Sequence, residues 1–167
     1  MRKFILLMAL LSLQIFAAPL IQTATKIALT GKPIMYIFDS ATCPYCEKLE
    51  KELVELKSLN EVAKAFDIYR IPRDDFKIYD ILGKKVSTQE LQMSYHVKAT
   101  PNVVIFDKHA KRMFQTSGYI GPKALEQMLR FVKGVDEGTY KVSEWSKFLY
   151  QQNITTSEKS KPKSLQH

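Results

Sequence analysis

Two hydrophobic periods alternate along this chain. Ile34-Met35-Tyr36-Ile37-Phe38 is an unbroken apolar run of the length that a strand buried on both faces needs. The residues after it change to Leu49, Leu53 and Leu56 at helical spacing. This predicts a strand at 34–38 and a helix at 47–56, with Pro44 suited to the first helical position. Upstream, Leu20, Ile21, Ala24, Ala28 and Leu29 predict a helix over 20–29 that Gly31 stops. Downstream, Asn60 can cap a short helix over 61–65, and 66–70 alternates as a strand. A strand–helix–strand crossover of this kind implies parallel pairing.

Residues 72–85 are polar and aromatic in turn, with Arg73-Asp74-Asp75 and Gly83-Lys84-Lys85, and predict a loop with room for one short edge strand. Ser87-Thr88-Gln89-Glu90 has the spacing of a capping box and starts a helix to about Tyr95. Val97 to Thr100 then runs into Pro101, which biases the residue before it toward extended geometry. Strand 102–106, a turn at 108–111 and an antiparallel return at 113–117 follow, with Gly118 as the stop. Gly121-Pro122 opens a helix whose face is Leu125, Met128, Leu129 and Val132 and whose end is Gly134. A shorter helix over 143–150 offers Trp145, Phe148 and Leu149 to the core. From Thr155 the chain is Ser, Lys and Thr without apolar period, which predicts a disordered basic tail at 155–167.

The 167 residues, 46% hydrophobic and 25% charged, suit one domain with one core. Residues 1–17 stand apart. Arg2 and Lys3 precede a nearly continuous apolar run from Phe4 to Leu13, and small residues follow at Ala17 and Ala18. This pattern predicts a secretory signal, residues 1–17, ahead of a domain at 18–154. Its alternative is an uncleaved anchor, although the run is shorter than the ~20 residues of a bilayer span. Without Arg2 and Lys3 the chain holds 23 basic and 17 acidic residues, a net charge of +6. The basic residues are dispersed and carry no aromatic-basic motif, so a solvated surface is expected and nucleic acid is not an expected partner. Export places the protein, by expectation in the periplasm, where disulfides persist.

The chain's two cysteines, Cys43 and Cys46, fall where the first strong strand hands over to a helix. Backbone N–H groups and the positive end of the helix dipole would face the Cys43 sulfur and favour thiolate over thiol. Cys46, inside the first turn, is close enough to close a disulfide and more shielded. A static staple is the bland alternative, but so short a loop removes little chain entropy. Zinc wants four ligands, and His96, His109 and His167 show no metal spacing. Copper held by Cys43, Cys46 and one His stays open as an alternative, though Met93, Met113 and Met128 form no Met cluster. The expected site is metal-free, with no cofactor beyond the Cys43–Cys46 disulfide itself.

The order of elements, with Cys-Pro-Tyr-Cys after a core strand and Thr100-Pro101 before the next long one, resembles the α/β thioredoxin fold, a central mixed sheet flanked by helices in a single domain. Within that superfamily the chain is similar to exported SoxW-like thioredoxins. The shared features are the Cys-Pro-Tyr-Cys site, the 80–86 turn before a Ser-capped helix, Tyr95-x-Val97-x-x-Thr100-Pro101, Gly118-Tyr119-Ile120 and the ending from Tyr140-Lys141 to Leu149. The resemblance implies a cis Pro101 against the Cys pair and a Thr100 backbone that pairs with an extended client, with Pro44, Tyr45 and Gly118 completing the binding surface. An X-Pro bond is the one cheap place for a cis peptide, and a trans proline at a strand start is the alternative.

Two departures stand out: Thr42 replaces the family's Trp before the first Cys, and Ile37 replaces its buried Asp. Asp39 could serve as the base for Cys46 if it were buried, the plainer expectation being a partly exposed Asp that helps the turn. The resulting expectation is a monomeric periplasmic oxidoreductase with Cys43 as nucleophile and Cys46 as resolving thiol. It would reduce disulfides in exported proteins and be recharged by a membrane donor of the DsbD or CcdA kind. A DsbA-type oxidase and a redox-inert or copper-handling module are the alternatives.

Overall fold

The computed structural model describes residues 19–159. Strands β1 (Ile21–Gln22) and β2 (Lys26–Ile27) precede β3 (Ile34–Asp39), which leads into helices α1 (Pro44–Glu55) and α2 (Lys57–Ala63). Then come β4 (Asp67–Pro72), β5 (Ile78–Ile81), β6 (Lys84–Ser87), α3 (Thr88–Ser94), β7 (Asn102–Phe106) and β8 (Arg112–Ser117). Helix α4 (Pro122–Asp136), a short 3-10 turn and α5 (Trp145–Lys159) close the chain.

The main sheet has the order β1-β4-β3-β7-β8, with β3 parallel to β4 and antiparallel to β7. Every residue of β3 is buried, so its period-two alternation feeds two cores. Met35 and Ile37 join Leu49, Leu53, Leu59, Leu125 and Leu129 under α1, α2 and α4. Ile34, Tyr36 and Phe38 join Tyr69, Ile71, Tyr79, Leu91 and Phe106 on the opposite face, beneath α3 and the small sheet β2-β5-β6. This is the mixed sheet flanked by helices that the sequence resemblance implies.

Several local expectations are corrected. The segment at 20–29 is not helical: Ile21 pairs with Ile68 along the open edge of β4, and Ile27 is buried on the other face, paired with Ile81. Edge pairing and β-branched Thr23 and Thr25 outweigh the weak helical period. The expected loop at 72–85 holds a hairpin, β5 with β6, turned at Leu82 and Gly83, both at positive φ (52° and 83°). The Asp80 carboxylate accepts from Gly83 N at 3.0 Å and from Lys85 Nζ at 3.1 Å, which closes the turn. Helix α2 starts before Asn60, whose amide donates to the Leu53 carbonyl at 2.9 Å instead of capping. Gly134 lies inside α4; a Cβ there would sit 2.4 Å from the Tyr140 ring, so the position serves close packing and not termination. Helix α5 continues to Lys159, past the expected start of the tail at Thr155. The expected signal at 1–17 lies outside the described residues. Among those described, no helix is long and apolar enough to cross a membrane.

Candidate active site

The parallel strands β3 and β4 both end at the same rim of the sheet, and the loop after β3 delivers Cys43 there. Cys43 is the N-cap of α1, in extended backbone geometry, with Pro44 in the first turn. Its sulfur accepts from the Cys46 backbone N–H at 3.2 Å and is bonded to the Cys46 sulfur at 2.08 Å. Cys43 keeps 8% of its surface exposed and Cys46 only 1%. Cys43 is therefore the more accessible of the two sulfur-bearing residues. Once the bridge opens, the capping N–H and the helix dipole stabilise charge on Cys43.

The loop is held on both flanks. Ala41 N donates to the Asp74 carboxylate at 3.0 Å, and the Ser40 and Thr100 hydroxyls lie 3.1 Å apart. The Thr100–Pro101 peptide bond is cis, and Gly118 N donates to the Pro101 carbonyl at 2.8 Å. Gly118 has a φ of 86°, a conformation that disfavours a side chain. Ser40, Thr100, Pro101 and Gly118 thereby form a linked chain of contacts from the cysteine loop to the end of β8. Pro44 and Tyr45 are exposed beside the disulfide. The Tyr45 ring lies 5.5 Å from that of Tyr119, whose hydroxyl donates to Glu52 and whose face carries Lys48 Nζ at 4.7 Å.

Beneath the loop the structure departs from expectation. Asp39 is fully buried, not partly exposed, and it faces α1 because it alternates with Met35 and Ile37 along β3. Arg70, the β4 neighbour on the same face, donates to Asp39 Oδ2 from Nε at 2.5 Å and also from its terminal nitrogen. Arg70 Nε also lies 3.4 Å from Glu50 Oε1, and its own charged form is favoured first by the Asp39 hydrogen bond. Asp39 Oδ1 and Glu50 Oε1 are buried without a hydrogen bond. Burial, and after it the charges of Asp39 and Glu47, push the Glu50 carboxyl above its usual range, against the pull of Arg70. A cavity of ≈ 200 Å³ lined by Asp39, Ala41, Arg70, Pro72, Asp74 and Asp75 opens on this cluster.

Sequence reasoning missed Arg70 and Glu50. The usable signals were an Arg alternating in phase with buried Ile68 on β4, and an acid placed one helical turn after Cys46. Among the described residues, no group of three or more His, Cys, Asp or Glu is placed to hold a metal ion. His96 and His109 are exposed, and His167 lies outside the described residues.

A mixed sheet with a helix-capping Cys-x-x-Cys beside a cis proline defines a thioredoxin-fold protein with a redox-type dithiol site. The thioredoxin-like domain family matches residues 21–133, and the chain belongs to that family. Among solved structures it is similar to a thioredoxin-fold protein from Helicobacter pylori, at 25% identity over 81% of this chain and 93% of that one, with a TM-score of 0.69. It is also similar to a thioredoxin from Thermus thermophilus, at 23% identity over 62% of this chain and 75% of that one, with a TM-score of 0.48. No curated protein matches the chain. The family and the Cys43–Cys46 pair support oxidoreductase chemistry of the thiol–disulfide type.

Proposed function

We propose that this protein is an exported, periplasmic thiol–disulfide oxidoreductase that reduces disulfides in partner proteins. The observation that carries the reading is the asymmetric pair at the mouth of α1, an outer capping sulfur and an inner buried one. In the reduced protein, Cys43 thiolate attacks one sulfur of a client disulfide. The client's other sulfur leaves with the bonding electron pair and takes up a proton, and a Cys43–client mixed disulfide remains. Cys46, having lost its proton, attacks Cys43; the Cys43–client bond breaks, the client leaves as a thiolate, and the internal bridge is restored. Two electrons pass to the client, and an outside dithiol must resupply them.

The direction rests on the Pro-Tyr dipeptide, which resembles glutaredoxin, whose potentials of ~−200 to −230 mV lie well below the ~−120 mV of DsbA. Tyr45 adds no charge beside the sulfur, unlike a His. The resupply would come from a membrane donor of the DsbD or CcdA kind. The protein would act as a monomer, with Thr100, Pro101 and Gly118 receiving an extended client segment. The test is insulin reduction with dithiothreitol by the purified domain. Cys43→Ala is expected to abolish it, and full activity in that variant would end the proposal. A measured reduction potential near that of DsbA would reverse the direction to disulfide formation.

A further inference from the structure

The two sulfur-exchange steps make no use of the buried charges under the site. On a helix, residues four apart stand on one face, ~5–6 Å apart at Cβ, and long side chains lean back toward the N-terminus. Glu50 is four residues after Cys46 on α1, a spacing that places the two on one face of the helix. It is three-quarters buried, and its Oε1 carries no hydrogen bond. The charged or titratable groups facing it are Arg70 from β4, Asp39 from β3 and Glu47 from its own helix, with Asp74 and Asp75 on the cavity lining.

These groups are not equivalent. Asp39 accepts from two guanidinium nitrogens of Arg70 through one oxygen, Oδ2. Glu50 is left with a single 3.4 Å approach to the same guanidinium, so two carboxylates share one cation and Glu50 is the one loosely held. We propose that Glu50 is the proton acceptor for Cys46 in the release half of the reaction, with Asp39 and Arg70 as its positioning residues. The sequence offered Asp39 for this base role only if it were buried; the assignment to Glu50 rests on the thiol–disulfide reading above. Cys46 S–H gives its proton to the Glu50 carboxylate, directly or through one water, and the thiolate then attacks Cys43 and expels the client sulfur with its electron pair. When an outside dithiol next reduces the bridge, Cys46 leaves with the bonding electron pair and Glu50 returns a proton to it. A carboxyl held above its usual range by burial is a stronger base than an exposed one, which suits such a task.

The experiment separates the two halves of the reaction, with insulin as the disulfide probe. In a Cys46→Ser background, which stops at the mixed disulfide, Glu50→Gln is expected to capture the probe at an unchanged rate. In the chain that keeps Cys46, Glu50→Gln is expected to slow release about 100-fold near neutral pH. The parent's release rate should also fall on the acid side as Glu50 protonates, and that limb should disappear in the variant. An unchanged release rate with an unchanged acid limb in Glu50→Gln overturns the assignment while the thiol–disulfide reading stands. Failure of the Cys46→Ser chain to capture the probe at all defeats the thiol–disulfide reading, and the assignment with it.

Discussion

The two faces of the central sheet are built from different materials. Beneath α3 and the small sheet the filling is aromatic: the Tyr36 ring lies 4.9 Å from Phe106 and within 6.5 Å of Phe38, Tyr69 and Tyr95. Burial, and after it the neighbouring Tyr95 and Tyr69, push the Tyr36 hydroxyl far above its ordinary value. Burial does the same for Tyr69, Tyr79 and Tyr95 to a smaller degree. These hydroxyls hold their protons throughout the physiological range, so this face supplies area and shape but exchanges nothing. Beneath α1 the filling is aliphatic along most of its length and then, at the rim that carries Cys46, changes to Asp39, Arg70 and Glu50. The linked Asp39, Arg70 and Glu50 charges thus lie at the end of this face that carries the cysteine pair.

The largest effect that sharpens this contrast belongs to the aromatic face. Phe106, 6% exposed and at the end of β7 away from Pro101, should cost ~3–5 kcal/mol of stability when cut to Ala, measured by urea unfolding. Below its lowered melting point, that variant should still reduce insulin at the parent's rate with the parent's pH profile. A changed pH profile would mean that the aromatic face is tied to the chemistry, and the division of labour would fail. Arg70→Ala comes next. Removing the guanidinium strands buried Asp39, and the expected loss is about 2–3 kcal/mol, below the ~3–5 of a fully buried pair because the Arg70 side chain is 39% exposed. Unfolding at neutral pH checks it; an unchanged midpoint would show that water already satisfies Asp39 through the cavity.

Much of this contrast was legible in the chain, and the illegible part has physical causes. The strand at 34–38, the Ser87 capping box and the helix opened by Gly121-Pro122 all carry signals within a few residues, and each is present: Ser87 Oγ accepts from Glu90 N, and the Glu90 carboxylate accepts from Ser87 N. The segment at 20–29 mimics a helical period because its apolar residues serve two cores: Ile21 lies against the aliphatic one and Ile27 in the aromatic one. The hairpin at 78–87 escaped because its turn is Leu82-Gly83, without the Asn or Asp that usually announces a two-residue turn. Cys43 and Cys46 were readable because two sulfurs at that spacing have few other uses. Asp39, Arg70 and Glu50 come from three different elements, and only the parallel register of β3 with β4, under α1, brings Arg70 to the other two.

The smallest expected effect on stability is also the most discriminating. The folded-state pKa of Glu50 is raised above its unfolded value, chiefly by burial. For a carboxyl shifted in that direction, the folded form binds its proton more tightly than the unfolded one. The favourable contribution is therefore fully present below the ordinary carboxylate range and is lost as pH rises through the raised value. At neutral pH the ionised Glu50 is held at a net cost despite the Arg70 approach, so Glu50→Gln should be as stable as the parent or slightly more stable. Its stability should also decline less than the parent's as pH rises out of the carboxylate range. Thermal melts of both proteins at a series of pH values check this. If Glu50→Gln melts earlier at neutral pH, the carboxylate is a structural ion-pair partner, and its placement under Cys46 needs no catalytic reason. If it melts no earlier while release of the client slows, the chain keeps a destabilising acid under its inner sulfur for the reaction alone.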